Sequence, residues 1–135
     1  MRSRVRLFIH TDIVQPALEQ IRRTRDAECF ALFAYCFMPD HLHLLVGGMT
    51  ETSDLRRFSK LAKQRSGAEY ALKHGAALWQ EGYHDRVLRD EDDTRAIARY
   101  ILANPVRAGL VKDPRLYAFS GSDVWTLDEL LEGVS

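Results

Sequence analysis

The chain reads as an α+β protein, an antiparallel sheet with helices packed against it. Three observations point there. Two apolar runs, "CFALFAYCFM" and "HLHLLVGG", stand on either side of Pro39-Asp40, whose turn chemistry closes a hairpin. The segments before and after that hairpin carry apolar residues at helical spacing. The order strand, helix, hairpin, helix, strand, helix then leaves helices to cover one sheet.

Each element has its own warrant. "RVRLFIH" alternates Val5, Leu7 and Ile9 with Arg4 and Arg6, the period of a strand. "DIVQPALEQIRRTRD" places Val14, Ala17, Leu18 and Ile21 on one helical stripe, and Pro16 restricts where its first turn begins. After the hairpin, Thr52 or Ser53 is placed to cap a helix with Leu55, Phe58 and Leu61 inward, running to about Lys73 with Gly75 as its stop. "YHDRVLR" reads as a short strand. Asp92 or Asp93 opens a last helix through Ile97 and Ile101 that Pro105 must end or kink.

The bulk numbers bound the rest. At 135 residues, 46% hydrophobic and 28% charged, this is the composition of one folded domain spanning 1–135. No apolar run approaches the roughly 20 residues that span a bilayer, so a cytoplasmic protein without a membrane segment is expected. Cys29 and Cys36 lack paired spacing and read as buried free thiols. Acids and bases balance at 19 each, but not locally. Arg56, Arg57, Lys60, Lys63 and Arg65 face one acid between Asp54 and Arg65, whereas residues 121–135 are an acidic tail with Asp123, Asp128, Glu129 and Glu132 and no base. The basic cluster is either a solvated helix face or a phosphate-binding one.

The candidate chemistry starts in "MPDHLHLLV". Strand side chains alternate, so His41 and His43 point the same way, about 7 Å apart at Cα, and can converge on one divalent metal. The plain alternative is two strand histidines, each hydrogen-bonded or exposed. In "ARYILANPVRAGLV", Tyr100 and Asn104 lie about 40° apart on a helix, flanking the Ile97–Ile101 stripe, with Arg95 and Arg99 outward. A phenol and an amide are thus expected to aim inward towards the imidazoles. A core tyrosine and a polar cap before Pro105 are the alternatives.

"MPDHLHLLV" followed some sixty residues later by "YILANPVRAGLV" resembles the HUH single-tyrosine transposases, in the branch called REP-associated tyrosine transposases (IS200-like). The family's histidine–hydrophobic–histidine motif falls on His41-Leu42-His43. Its helical tyrosine, followed four residues later by a polar metal ligand, falls on Tyr100 and Asn104. "LWQEGYHDRVLRDEDD" is also similar, and the resemblance covers about residues 6–120. It implies a ferredoxin-like sheet, a homodimer, and cleavage and rejoining of single-stranded DNA at hairpin-associated sites through a 5′-phosphotyrosine on Tyr100. Mg²⁺ or Mn²⁺ would be held by His41, His43 and Asn104, and imidazole nitrogens suit Mn²⁺ better than oxygen-preferring Mg²⁺. Arg56, Arg57, Lys60 and Lys63 are then candidates for holding the DNA backbone. The chain has no P-loop and no Rossmann glycine pattern, in keeping with chemistry that needs no nucleotide cofactor.

One departure stands out. Such chains usually begin with a strand upstream of the segment matching "VRLFIHTDIV", for which there is almost no room here. Either "RVRLFIH" takes its place or the sheet lacks a strand. Two other readings stay open: a non-catalytic module that binds nucleic-acid hairpins, and a metal hydrolase in which water attacks. Tyr35, Tyr70, Tyr83 and Tyr117 are weaker nucleophile candidates, lacking a partner at metal-ligand spacing. His84 either assists the site or lies on a surface strand.

Overall fold

A computed structural model describes residues 8–75, 78 and 91–131, with side chains only from residue 94 onward in the last segment. Helix α1 (Thr11–Ala27) leads into the hairpin β1 (Phe30–Met38) and β2 (His41–Gly48), followed by α2 (Leu55–His74). After α3 (Glu91–Leu102) come a short α4 (Asn104–Arg107), a 3₁₀ turn (Pro114–Leu116), β3 (Ser120–Gly121) and α5 (Leu127–Leu131). The sheet is antiparallel in the order β2-β1-β3. The α+β class read from the sequence is the observed one.

Two apolar layers sandwich the sheet. On one face α1 and α2 cover Phe30, Leu32, Phe37, Leu42, Leu44 and Val46, with Val14, Leu18, Ile21 and Phe58 as the helical contribution. On the other, α3 and α5 cover Ala34, Cys36, Met38 and Leu45 with Ala98, Ile101, Leu102 and Leu130. The hairpin separates the two sets by register. Tyr35 pairs with Leu44 and Phe37 with Leu42, while Cys36 pairs with His43 and Met38 with His41. A bulge at Phe33, between Leu32 and Ala34, shifts the alternation of β1 by one residue. The displaced Phe33 ring lies over Gly47, where a Cβ would come within 2.6 Å of it, and stacks on Trp125 at 5.5 Å.

Several expectations need correction. The described part of "RVRLFIH" is a turn, not a strand: Phe8 is buried on Phe37 and its N–H bonds the Pro39 carbonyl at 3.0 Å, which leaves Ile9 half exposed. Residues 4–7, like "YHDRVLR", Tyr83 and His84, lie outside the described residues. Helix α1 begins at Thr11, so Pro16 is inside it, although the expected stripe Val14, Ala17, Leu18 and Ile21 is buried. The α2 cap is Asp54, which accepts from the Arg57 N–H at 3.2 Å. The Ser53 hydroxyl is instead spent on the Cys29 carbonyl at 2.8 Å. Gly75 does end α2, with φ +69 and its N–H on the Ala71 carbonyl. Cys29 is exposed rather than buried, in a left-handed turn between α1 and β1. Cys36 is buried, and burial pushes its thiol up to about 12 against the opposing pull of Arg107.

The acidic segment is built into the fold as far as Leu131. Asp123 receives the guanidinium groups of Arg22 (2.9 Å) and Arg25, and its N–H bonds the Leu32 carbonyl. Arg95 lies over Trp125 at 5.4 Å, and Leu130 is fully buried against α3. Neither β3 nor α5 carries a sequence signal strong enough to be expected: each is very short and gains its order from the partners it packs on. Leu130→Ala is therefore expected to cost about 2–5 kcal/mol, read as a fall in the urea midpoint. A shift below about 0.5 kcal/mol would mean that α5 is not packed on the sheet.

Candidate functional site

The two imidazoles meet. His41 Nε2 and His43 Nε2 are 3.0 Å apart, with the rings edge to face. They converge because i and i+2 on β2 share a face, while Leu42 between them is buried on the other. At the turn, Asp40 Oδ1 contacts His41 Nδ1 at 2.7 Å. The His41 side chain keeps 34% of its surface exposed, so the pair opens to solvent.

The protons follow from these contacts. In a neutral His41 the acceptor-only carboxylate at Nδ1 favours the tautomer protonated there, which makes His41 Nε2 the acceptor. His43 Nε2–H is then the donor between the rings. Both Nε2 atoms become ligands only when His43 carries its proton on Nδ1 instead. The spacing suits that use: adjacent octahedral corners with bonds of about 2.1 Å are about 3.0 Å apart. Asp40 is the kind of outer carboxylate that orients a metal-bound imidazole. The sequence reading missed it, although it directly precedes His41 in the turn. Among the described residues no group of three or more His, Cys, Asp or Glu side chains gathers to hold a metal. A third ligand drawn from the described residues would be of another kind, such as the Asn104 amide.

Tyr100 and Asn104 form a second assembly on the same face of the sheet. Cys36 and Met38, the register partners of His43 and His41, pack against Ala98, Ile101 and Leu102 of α3. The expected inward aim of Tyr100 is not observed, since its side chain is 62% exposed. The sheet-facing stripe is Ala98, Ile101 and Leu102, with Ile97 only partly buried, and that rotates Tyr100 outward. Nor do Tyr100 and Asn104 share one helix. The Pro105 nitrogen cannot donate to the Ile101 carbonyl, so α3 ends at Leu102 and Asn104 opens α4. Arg107 joins the two across the break, donating to the Tyr100 carbonyl at 2.8 Å and to Asn104 Oδ1. Arg95 is exposed as expected, but Arg99 reaches the Leu130 carbonyl at 3.4 Å.

The rival tyrosines among the described residues are otherwise engaged. Burial raises the Tyr35 phenol above its ordinary range, outweighing the pull of Arg22. Tyr117 donates to the Phe37 carbonyl at 2.6 Å, and Tyr70 stacks on His74 at 4.4 Å. Among the described residues Tyr100 is the one exposed tyrosine. The basic residues lie elsewhere. Arg56, Arg57, Lys60 and Lys63 belong to α2, which packs Phe58 on Phe30 over the face opposite the imidazoles. Arg56 and Lys60 are exposed, and Arg57 is bonded to Glu28 at 2.7 Å.

Residues 1–104 match the profile of the IS200-like transposases, and the chain belongs to that family. It is 23% identical over 132 residues to a Haemophilus influenzae protein provisionally named a REP-associated tyrosine transposase, covering 89% of this chain and 74% of that protein. A solved REP-associated tyrosine transposase bound to a REP hairpin has a TM-score of 0.67 at 23% identity, covering 88% of this chain and 69% of that one. The α+β fold is common to both. Among the described residues no helix is long and apolar enough to cross a membrane.

The tautomer assignment is directly testable. Without metal, ¹⁵N-correlated NMR should find His41 protonated at Nδ1, and Asp40→Ala should redistribute that proton. A His41 ring already protonated only at Nε2 would contradict the geometry.

Proposed function

We propose that this chain is a metal-dependent, single-stranded DNA endonuclease and strand-transfer enzyme acting at hairpin-associated sites. The observation that carries the reading is the convergence of His41 Nε2 and His43 Nε2 at 3.0 Å, oriented by Asp40, on the sheet face covered by the Tyr100 helix. The hairpin substrate is inferred from the solved relative, which is bound to one. His41, His43 and the Asn104 oxygen would hold Mg²⁺ or Mn²⁺, with Mn²⁺ the better match to two imidazoles. Such an ion supplies Lewis-acid polarisation of the scissile phosphate.

Tyr100 is the nucleophile in this account. Its phenol gives up a proton, and its oxygen bonds to phosphorus. The P–O3′ bond breaks, and the 3′ oxygen leaves with the electron pair and takes up a proton. The 5′-phosphotyrosine keeps the phosphodiester's bond energy, so the reverse attack by a 3′-hydroxyl rejoins DNA without a nucleotide cofactor. Exposure serves this role, because a DNA strand must reach the phenol.

Arg56, Arg57, Lys60 and Lys63 are assigned to the DNA backbone. Their place behind the sheet separates holding from cutting, and Arg57, already paired with Glu28, should contribute least. Neutralising all four should weaken hairpin binding and flatten its salt dependence by about 0.9 per lost phosphate contact, without slowing cleavage of bound DNA. An unchanged salt slope would make α2 an ordinary solvated face. The homodimer implied by the family resemblance belongs to the same proposal, and sedimentation equilibrium checks it.

The decisive test is incubation of the full chain with hairpin DNA and Mn²⁺, followed by a denaturing gel. Tyr100→Phe should abolish both cleavage and adduct while DNA binding persists, since the ring is kept and only an exposed oxygen is lost. His41→Ala should lose activity in part recoverably at higher Mn²⁺. Cleavage at the wild-type rate by Tyr100→Phe would favour water or another tyrosine as nucleophile. Binding without any cleavage by the wild-type chain would favour a non-catalytic hairpin-binding module.

A further inference from the structure

Nothing in the motifs assigns a role to Arg107, yet it contacts both Tyr100 and Asn104. It stands in the last turn of α4, three residues after Asn104, and bends back over the break between the helices. Its Nη2 donates to the Tyr100 carbonyl at 2.8 Å and to Asn104 Oδ1. Its guanidinium carbon lies 3.8 Å from the centre of the Tyr100 ring, well inside the roughly 6 Å at which a ring face attracts a cation.

That charge is not spent on an acid. Arg22, Arg25, Arg57 and Arg115 each pair with a carboxylate, but among the described residues Arg107 does not. Helix α4, which carries it, directly follows α3 and also packs on β1, and α3 covers the sheet face of Cys36 and Met38, the register partners of His43 and His41. The guanidinium therefore lies on the imidazole side of the molecule.

An asparagine amide is nearly symmetric in shape, with an acceptor at one end and a donor at the other. A cation donating to Oδ1 fixes which end is which and leaves a second lone pair on that oxygen. An exposed tyrosine likewise turns freely unless something lies flat against it. Both needs are met by one planar group.

We propose that Arg107 is the positioning residue of the site, fixing the Asn104 amide by its oxygen and holding the Tyr100 ring face on, so that ligand and nucleophile are set before DNA arrives. This rests on the reading of Tyr100 and Asn104 given above. A residue that merely capped the helix break would need only a donor, which lysine also supplies. Both bonds leave the single nitrogen Nη2, and only arginine can make them while laying a guanidinium over the Tyr100 ring.

Arg107→Lys and Arg107→Ala, made in the full chain, separate these roles. The measurements are thermal unfolding, Mn²⁺ affinity without DNA by electron paramagnetic resonance, and the single-turnover rate of adduct formation on hairpin DNA. Arg107→Lys should unfold as the wild type does, yet bind Mn²⁺ about tenfold more weakly and form adduct at least tenfold more slowly. Arg107→Ala should show the same losses, and if it does not fold, the lysine variant carries the test. Wild-type Mn²⁺ affinity and adduct rate in Arg107→Lys would overturn the proposal. Tyr100→Phe run in parallel keeps the failures apart. An adduct in that variant, or no Mn²⁺ binding by the wild type, sinks the underlying reading. An adduct-free Tyr100→Phe beside a fully active Arg107→Lys sinks only the role of Arg107.

Discussion

The register of the β1–β2 hairpin is the constraint on which the rest depends. Leu42, Leu44 and Val46 must face α1 and α2, and that puts His41 and His43 on the opposite face with their nitrogens in contact. A slip of one residue would drive both imidazoles into an apolar layer, at the cost of burying polar rings without partners. The bulge at Phe33 adjusts the other strand to match. It sets Cys36 and Met38, rather than Tyr35 and Phe37, opposite the histidines. The site is thus a by-product of how the core on the far side is packed.

The second constraint is the break between α3 and α4. Ala98, Ile101 and Leu102 hold α3 to the sheet, and the smallness of Ala98 lets the helix lie close. With those three inward, Tyr100 turns outward into solvent. Pro105 then ends the helix before Asn104. A single continuous helix would fix the phenol and the amide to each other through backbone geometry. Here the Arg107 side chain adds a second link across the break, beside the backbone bonds from Ala103 to Arg99 and from Arg107 to Ala103.

Much of this was legible in the residues, for definable reasons. The hairpin could be read because Pro39-Asp40 separates two strongly apolar runs, and the pairing of His41 with His43 because strand period is a strict two. The stripe of α1 was equally plain, and Pro16 did not prevent its first turn. Tyr100 was harder. Two isoleucines suggested one buried stripe, but Ala98 and Leu102 shift it, and a half-turn error turns an inward group into an exposed one. The cap of α2 fell to Asp54 because Ser53 has a stronger use in bonding the Cys29 carbonyl. Asp40 and Arg107 act through partners brought near by a turn and a helix break, and no periodicity signals that. The segment after Ser120 was read by its charge alone. Its order comes from Trp125 and Leu130 finding a face already formed.

The central claim is that the imidazole pair and Tyr100 serve one phosphate. The most direct measurement is proteolysis and mass spectrometry of the wild-type protein after reaction with hairpin DNA and Mn²⁺, mapping the residue that carries the 5′ nucleotide. The account predicts the adduct on Tyr100 alone, absent when Mn²⁺ is chelated. An adduct on another tyrosine, or DNA cleaved with no adduct on any residue, would contradict it.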